Sequence, residues 1–225
     1  ALVAGTSAVF GYVYVVRDVV KDILGRNDTK VRSVNLLLQV LEYLADVTWS
    51  IVSMKNIADT IGNNNSENIS SITIWNYIKY LQEAYIIHEV KRYNILWKTI
   101  FQNKNKYYFN DLWIRNSRKY NFVLDRGKLL ENIVFLHLKR LWYDVFVWEA
   151  WGKEIDFIAK KWDKVQYIQV SWSINSEKVI EREFGNLLSI KNGYPKHVVS
   201  FDWLWQTINE WIFYRNIETF LEKFE

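Results

Sequence analysis

Apolar positions recur at helical spacing through the first half of the chain, separated by short polar runs. Three helices are predicted, at residues 33–45, 53–61 and 71–84. Ser33 and Ser53 suit the N-cap positions of the first two, because a serine hydroxyl accepts a hydrogen bond from a free backbone N–H. Two strands, predicted at residues 86–94 and 106–111, flank a basic loop. Three helices followed by a β-ribbon are the element order of a winged helix-turn-helix, which we predict over residues 33–119.

The third helix is the one that would read DNA in a winged helix. Its outward side chains are predicted to be Thr73, Asn76, Lys79 and Glu83. Only one of these four is basic, which is a poor composition for a helix that reads DNA. The basic residues lie in the wing instead. DNA binding by this module is therefore a hypothesis, and a protein partner is the alternative.

The second half of the chain has a different pattern, in which apolar strands stand between two amphipathic helices. The predicted elements are a helix at 128–141, strands at 144–150, 153–161 and 164–172, a helix at 176–190 and a strand at 196–202. This αβββαβ order predicts an α/β (α+β) domain with a short mixed sheet, which we place at residues 120–225. Residues 1–32 are interpreted as the remnant or linker of a preceding domain, because the chain begins without methionine.

The composition is that of a globular protein, and it excludes several kinds of site. The chain has 225 residues and no cysteine, so disulfides and thiolate zinc sites are excluded. Its three histidines are scattered, which argues against a metal site built from histidines. No segment reaches the roughly 20 apolar residues that a membrane helix requires. These features fit a cytoplasmic protein without a membrane partner.

The net charge is +4, and basic residues are concentrated in the wing. Between residues 91 and 119 the only acidic residue is Asp111, against eight Lys and Arg residues. Aromatic residues alternate with them, and this combination suits phosphate contacts and base stacking. The alternative is a solvated basic surface over a small aromatic core. The candidate nucleic-acid-binding residues are Lys91, Arg92, Lys98, Lys104, Lys106 and Arg115.

Four polar residues are expected to meet on the predicted sheet. Asp156 lies in the second strand of the αβββαβ segment. Gln169 and Ser171 share one face of the third strand, because residues two apart point the same way. With Glu131 of the preceding helix, Asp156 and Gln169 offer the oxygen ligands that Mg²⁺ prefers. Such an ion could activate a water for phosphodiester cleavage, whereas the alternative is a set of buried acids hydrogen-bonded to the backbone.

These residues resemble the PD-(D/E)XK nuclease superfamily, in which a helix Glu, a strand Asp and a (Glu or Gln)-x-Lys pair form the site. More closely, the chain resembles the C-terminal region of a large prokaryotic group of AAA-type ATP-binding proteins, where a nuclease-like domain of unknown function follows the ATPase. The matching segments are VVRDVV (15–20), YLADV (43–47), IWNYIKYLQEAYII (74–87), KYYFNDLWIRN (106–116), GKLLENIVFLHLKR (127–140), KEIDFIA (153–159) and YIQV (167–170). The resemblance implies a restriction-endonuclease-like fold for residues 120–225 and an ATPase origin for residues 1–32. No G-x-x-x-x-G-K-S/T phosphate loop occurs in the chain, so ATP binding is expected only in a missing N-terminal domain.

The chain departs from the nuclease pattern at two positions. Ser171 stands where the pattern has lysine, and Gln169 stands in place of glutamate. A serine hydroxyl cannot orient the attacking water and stabilise phosphate charge as a lysine does. We therefore predict a degenerate catalytic site in a module that binds DNA or a protein partner without cutting. Its residues are Glu131, Asp156, Gln169 and Ser171. The alternatives are an active Mg²⁺-dependent DNA endonuclease whose lysine has moved to Lys178, and a protein-interaction scaffold.

Tryptophan is frequent in this chain and glycine is rare. There are 12 Trp and 8 Gly, whereas an average glycine usage of about 7% would give about 16. Trp142 follows a predicted helix where a left-handed residue is expected, and Trp162 lies in a predicted hairpin turn. The resemblance to the AAA-type group implies glycine at seven of the tryptophan positions, namely Trp49, Trp97, Trp113, Trp142, Trp148, Trp162 and Trp211. Our hypothesis is that UGA codons, which some bacterial lineages read as glycine, were translated as tryptophan at these sites; Trp75, inside a helix, is expected to be genuine.

Overall fold

The computed structural model describes residues 33–48, 50–95, 99–116, 126–150, 153–203 and 212–224, together with Gly25. The chain forms two compact units. The first consists of Ala1–Glu89 and Asn103–Phe122, and the second of Val90–Gln102 and Val123–Glu225. Residues 90–102, part of the predicted wing, therefore group with the second unit.

The first unit is built on three helices, α1 (Val34–Val47), α2 (Met54–Asn65) and α3 (Ser71–Glu83). Serine side chains cap all three, because Ser33, Ser53 and Ser70 accept hydrogen bonds from backbone N–H groups of the first turn. The apolar faces of the helices pack into one buried cluster that includes Leu41 and Ile78. The three helices predicted from periodicity are confirmed.

The next elements are strands β1 (Ile87–Asn94) and β2 (Thr99–Phe109) and a short helix, α4 (Leu112–Asn116). Strand β2 begins earlier than the strand predicted at 106–111, so much of the expected basic loop is strand. Sheet pairing overrides the low strand preference of its Asn and Lys residues. An antiparallel bridge joins Val52, between α1 and α2, to Asn105 of β2. The buried rings of Tyr107 and Phe109 complete the core of the first unit.

The second unit contains α5 (Arg126–Arg140), β3 (Asp144–Ala150), β4 (Lys153–Lys161), β5 (Lys164–Ser171), α6 (Glu177–Leu188), β6 (Lys196–Ser200), β7 (Phe213–Asn216) and α7 (Ile217–Lys223). The described strands form a seven-stranded mixed sheet in the order β2-β1-β3-β4-β5-β6-β7. Neighbouring strands from β3 to β5 are antiparallel, and those from β5 to β7 are parallel. The predicted α/β class is confirmed, as is the αβββαβ order; β7 was not predicted.

Helices α5 and α6 cover opposite faces of the strands that carry the candidate site. The ring of Phe157 in β4 lies 6.2 Å from that of Phe135 in α5, measured between centroids. The next residue, Ile158, belongs to a buried cluster with Phe184 and Leu187, which lie on α6. Because consecutive strand residues point to opposite faces, α5 lies against one face and α6 against the other. Strands β4 and β5 are therefore shielded from solvent on both sides.

A membrane-spanning helix needs about 20 residues. The longest helix that the structure describes, α5, has 15 residues and carries several charged side chains. None of the described helices is long and apolar enough to cross a bilayer.

Two tryptophans occupy left-handed turn positions, as predicted. Trp142 follows α5 with φ 65°, and its backbone N–H donates to the Lys139 carbonyl oxygen at 3.0 Å. The next N–H, of Tyr143, donates to Leu138 O at 3.1 Å, which completes a Schellman motif. Trp162 has φ 59° and lies in the two-residue turn between β4 and β5. The side chains of Trp142 and Trp162 are 85% and 92% exposed.

The other tryptophans for which recoding from glycine is hypothesised differ in their burial. Trp148 is buried in β3 within the core cluster on the α6 face, so its packing counts against the recoding hypothesis at that position. The Trp113 side chain is exposed on α4, and the backbone N–H of this residue donates to Asp111 Oδ1 at 2.7 Å. Trp49, Trp97 and Trp211 lie outside the described residues.

Candidate functional site

Strand β4 contains a β-bulge at the position of the candidate aspartate. Between the pairs made by Ile155 and Ile158, β4 has two residues opposite a single residue of β3. These two are Asp156 and Phe157. As a result Ile155 and Ile158, although three residues apart, both join the buried cluster on the α6 face. A bulge interrupts the regular alternation and re-aims the side chains within it. The side-chain direction of Asp156 therefore does not follow from the regular alternation of strand residues that the sequence predicts.

Asp156 and Gln169 lie side by side on β4 and β5, as the strand order predicts. The Val170 N–H donates to Asp156 Oδ2 at 2.8 Å, and the Asp156 N–H donates to Gln169 Oε1 at 3.4 Å. Regular pairing between these two strands ends at Phe157 and Ile168. The two side chains thus continue the hydrogen bonding of the strands beyond that point, and we call Asp156 and Gln169 the strand-locking pair.

Ser171, at the lysine position of the nuclease pattern, forms a hydrogen bond within the loop that follows β5. Its hydroxyl donates to the Ser173 carbonyl oxygen at 3.0 Å. Asp202 fixes the same loop, because its Oδ2 accepts hydrogen bonds from the Ser173 hydroxyl and the Ile174 N–H, both at 2.7 Å. Lys178, the candidate relocated lysine, lies exposed in the first turn of α6.

Glu131 is buried on α5, next to the fully buried Asn132. Helix α5 packs against β3, β4 and β5, so the Glu131 carboxyl group lies on the protein side of the helix and not in solvent. Asp156, Gln169 and Ser171 are also buried in the second unit. The structure therefore pairs Asp156 with Gln169 directly, and Glu131 and Ser171 are buried in the same unit.

The candidate residues fit a catalytic Mg²⁺ ion poorly. Mg²⁺ demands near-octahedral oxygen coordination and is usually held by one or two carboxylates and several waters. Here Asp156 Oδ2 and Gln169 Oε1 both accept hydrogen bonds from backbone N–H groups. In the described part of the chain, no three His, Cys, Asp or Glu side chains are grouped so as to hold a metal. Asp156 Oδ2 and Gln169 Oε1 are thus already engaged by backbone groups of the sheet.

Two of the candidate basic residues lie inside the first unit. Lys106 is 2% exposed and Arg115 is 1% exposed, and Arg115 Nη1 donates to Asn116 Oδ1 at 2.9 Å. Lys and Arg are almost never fully buried unless their charged groups are paired, and Asn116 Oδ1 is one such partner of Arg115. Counting charges along the sequence could not reveal the burial of Lys106 and Arg115, because the count treats buried and exposed residues alike. Lys106 and Arg115 are therefore removed from the predicted phosphate-binding set.

The other candidate basic residues keep surface positions where the structure describes them. Lys91 is exposed on β1, and Lys104 is exposed on β2 at φ 65°. Arg92 is half-buried, with its guanidinium carbon 5.2 Å from the centre of the Phe101 ring. Lys98 lies outside the described residues. Lys91 and Arg92 belong to the second unit and Lys104 to the first.

The second unit also contains a cavity of about 1210 Å³ that was not predicted. We call it the aromatic–lysine cavity. It is lined by Tyr93, Tyr167, Tyr194, Lys153, Lys160 and Lys191, among others. None of the four candidate catalytic residues lines it, and Asp156 is four residues along β4 from Lys160, or about 13 Å at the usual strand rise. These residues come from β1, β4, β5 and the loop after α6, so folding of the sheet brings them together.

Comparison with known proteins gives relatives whose functions are not described. Residues 12–119 match a family described as Domain of unknown function (DUF8612). An uncharacterized protein of Haemophilus influenzae is 33% identical over 179 residues, which are 79% of this chain and 43% of that protein. An uncharacterized protein of Methanocaldococcus jannaschii is 28% identical over 167 residues, which are 72% of this chain and 36% of that protein. No solved structure matches the chain. The chain thus spans less than half the length of these bacterial and archaeal relatives.

Proposed function

We propose that this chain is a nucleic-acid-binding module whose second unit carries a nuclease-type site that does not cut. One observation carries the proposal. The aspartate and glutamine at the metal-ligand positions form the strand-locking pair, and a serine stands at the position of the lysine. Phosphodiester cleavage needs positive charge near the developing phosphate transition state, which a serine at the lysine position does not supply.

The strand arrangement supports the nuclease-like assignment. Three antiparallel strands, β3 to β5, are followed by α6 and then by β6, which lies parallel to β5. The resemblance to PD-(D/E)XK nucleases implies a restriction-endonuclease-like fold for residues 120–225, and a mixed sheet covered by helices is consistent with it. The same fold supports many activities, so the proposal rests on the site residues and not on the fold.

The element order of residues 33–109 supports the binding role. Three helices, the bridge between Val52 and Asn105, and strands β1 and β2 follow one another in the order of a winged helix. Each unit contributes an exposed lysine of these strands, Lys104 in the first unit and Lys91 in the second, and its positive charge suits phosphate groups. The resemblance to AAA-type ATP-binding proteins further implies a cytoplasmic protein in which ATP binds outside residues 1–225.

A protein partner is the second candidate, and one observation favours it. The surface of α3 exposes Ile72 and Trp75, which are apolar, at the place where a DNA-reading helix would carry polar side chains. The Lys79 ammonium group lies 4.1 Å from the centre of the Trp75 ring, so that positive charge is already engaged. Salt dependence separates the two candidates, because an apolar interface is much less sensitive to salt than phosphate contacts are.

The experiment that tests the proposal compares cleavage by the natural chain and by a restored variant. Labelled single-stranded and duplex DNA are incubated with each protein and with Mg²⁺ or Mn²⁺. We expect no metal-dependent cleavage by the natural chain. The variant Gln169→Glu/Ser171→Lys regains the carboxylate and the lysine, and we expect it to cleave roughly a hundredfold or more above the background without protein.

The matched control adds Asp156→Asn to the restored variant and is expected to abolish the gain. Metal-dependent cleavage by the natural chain that disappears in Asp156→Asn would contradict the proposal. It would favour the active endonuclease, and loss of the same activity in Lys178→Ala would then assign the relocated lysine.

A further inference from the structure

The aromatic–lysine cavity has the dimensions of a small-molecule site. Its volume of about 1210 Å³ is somewhat above the usual range for ligand pockets, roughly 300 to 1,000 Å³, so a small molecule has room to bind. Side chains of β3, β4 and β5 form one wall, and the loop at residues 189–194 after α6 forms another. Because the sheet holds the strand side chains, the first wall is largely preformed.

Hydrogen bonds hold the loop wall against the sheet. Asn192 Nδ2 donates to Tyr167 Oη at 2.9 Å, and the Lys196 ammonium group donates to the Asn192 carbonyl oxygen at 3.0 Å. The rings of Tyr167 and Tyr194 lie 6.2 Å apart between centroids. Tyr167 is buried, whereas Tyr194 is partly exposed, so the Tyr194 ring is available to a ligand.

The charge around the cavity is positive. Three lysines contribute to the lining, and no Asp or Glu is found among the lining residues that the structure describes. The Lys160 Nζ lies 4.4 Å from the centre of the Tyr93 ring and donates to Tyr93 Oη at 3.2 Å. Lys153 and Lys191 are exposed at the rim. A positive rim above aromatic walls attracts an anion that also has a planar aromatic part.

We propose that this cavity binds a nucleotide, with the base stacked on Tyr194 and the phosphate at the rim lysines Lys153 and Lys191. Aromatic side chains stack on any base, and lysine is a common phosphate ligand. The inference rests on the proposed function in supposing that this unit meets nucleic acid. Its site is separate from the strand-locking pair. The nucleotide comes either free in solution or as the terminal unit of a strand.

Calorimetric titration of the full chain tests which chemical groups the cavity recognises. The probes are adenosine 5′-monophosphate, adenosine, which lacks the phosphate, and ribose 5-phosphate, which lacks the base. We expect the complete nucleotide to bind at least about tenfold more tightly than either half, because the base and the phosphate are held by different residues. A short oligoadenylate with a 5′-phosphate, compared with the same strand with a 5′-hydroxyl, identifies the source of the nucleotide.

Matched variants connect the binding to the cavity. Lys191→Gln should weaken binding of the nucleotide about tenfold and leave adenosine unchanged, and Tyr194→Leu should weaken both. Tyr194→Phe keeps the aromatic ring and should bind as the natural chain does. The control Lys164→Gln removes an exposed lysine of β5 that does not line the cavity. Thermal unfolding of each variant confirms that it is folded.

The outcomes are separable. Binding of the free nucleotide, of the 5′-phosphorylated strand, or of both supports the cavity and names the source. No binding of either, equal binding of ribose 5-phosphate, or binding unaffected by Lys191→Gln and Tyr194→Leu overturns it. If duplex DNA still binds with steep salt dependence in that case, only the cavity inference fails. If duplex binding is lacking while the nucleotide binds, only the proposed function fails.

Discussion

Trp142 and Trp162 combine a bulky side chain with a left-handed backbone. Their φ angles are 65° and 59°, and both side chains are largely exposed, that of Trp162 beside the aromatic–lysine cavity. For a residue with a Cβ atom this conformation costs roughly 1–2 kcal/mol, whereas glycine adopts it freely. Ser66, Tyr85 and Lys104 also have positive φ, so the angle alone does not identify a recoded glycine. The glycine deficit together with these two turn positions supports the recoding hypothesis.

The substitutions Trp142→Gly and Trp162→Gly are expected to stabilise the chain. Each should raise the free energy of unfolding by about 1 kcal/mol, because the backbone strain is relieved and little packing is lost. Urea denaturation measures the change. Trp148→Gly is the control, since this residue is buried in the core and its loss should cost at least about 3 kcal/mol. Lower stability of the two turn variants, or UGG codons at positions 113, 142 and 162, would refute the hypothesis.

His197 on β6 is an ionisable residue in an apolar setting. It is 3% exposed, and neither ring nitrogen has a hydrogen-bond partner in the described part of the chain. Its ring stacks on Phe213 and contacts the edge of Phe224, each at 5.3 Å between centroids. Burial, with a smaller contribution from the positive charge of Arg215, lowers the pKa of His197 from 6.5 to about 3.

The depressed pKa of His197 predicts acid destabilisation. Below pH 6.5 the unfolded chain takes up a proton at this residue, but the folded chain does so only near pH 3. The free energy of unfolding should therefore fall as the pH decreases between these values, by at most about 1.4 kcal/mol per pH unit from this group. In His197→Phe this contribution should vanish, so the variant gains stability relative to the natural chain at pH 4.5. A difference between the two proteins that is constant from pH 7 to pH 4 would contradict the assignment.

Hydrophobic periodicity predicts the helices of the first unit and the αβββαβ order of the second. In both cases the signal is physical, because each of these elements buries one apolar face or lies between two covering layers. The first half of β2 was expected to be loop, since its polar residues are strand only through pairing with neighbours. Strand β7, with four residues, is too short to produce a periodic signal. The bulge in β4 depends on the register between two strands, which the sequence of one strand does not contain.

The junction between β4 and β5 predicts a stability role for the strand-locking pair. In Asp156→Ala the partly buried Val170 N–H loses its acceptor, which should cost about 1 kcal/mol, the low end of the penalty for a buried donor without an acceptor. Asp156→Asn retains an acceptor oxygen and should cost clearly less. Urea denaturation of Asp156→Ala, Gln169→Ala and the double variant should show non-additive losses, because the two residues act on the same strand junction. Asp163→Ala, at the exposed turn, is the control. An Asp156→Ala variant as stable as the natural chain would remove the structural role.

For the molecule as a whole, the adjacency of Asp156 and Gln169 was predictable, because it follows from strand order. The hydrogen bonds that their side-chain oxygens accept from backbone N–H groups were not predictable, because these bonds form at the bulge. The burial of Lys106 and Arg115 could not be predicted either, because the sequence gives the charge of a residue and tertiary packing determines its burial. The aromatic–lysine cavity requires strands and a loop that are distant along the chain. Sequence therefore identifies the candidate residues, and the fold decides which of them are accessible.

The most direct test measures the affinity of the full chain for labelled duplex DNA over a range of salt concentrations, with Mg²⁺ present and the DNA length recorded in the same samples. Contacts from the exposed lysines to at least two phosphates predict a log–log slope of about −2 or steeper. We predict this salt dependence together with DNA that stays intact throughout. Affinity that is independent of salt, lack of binding, or metal-dependent shortening of the DNA would contradict a module that binds nucleic acid without cutting it.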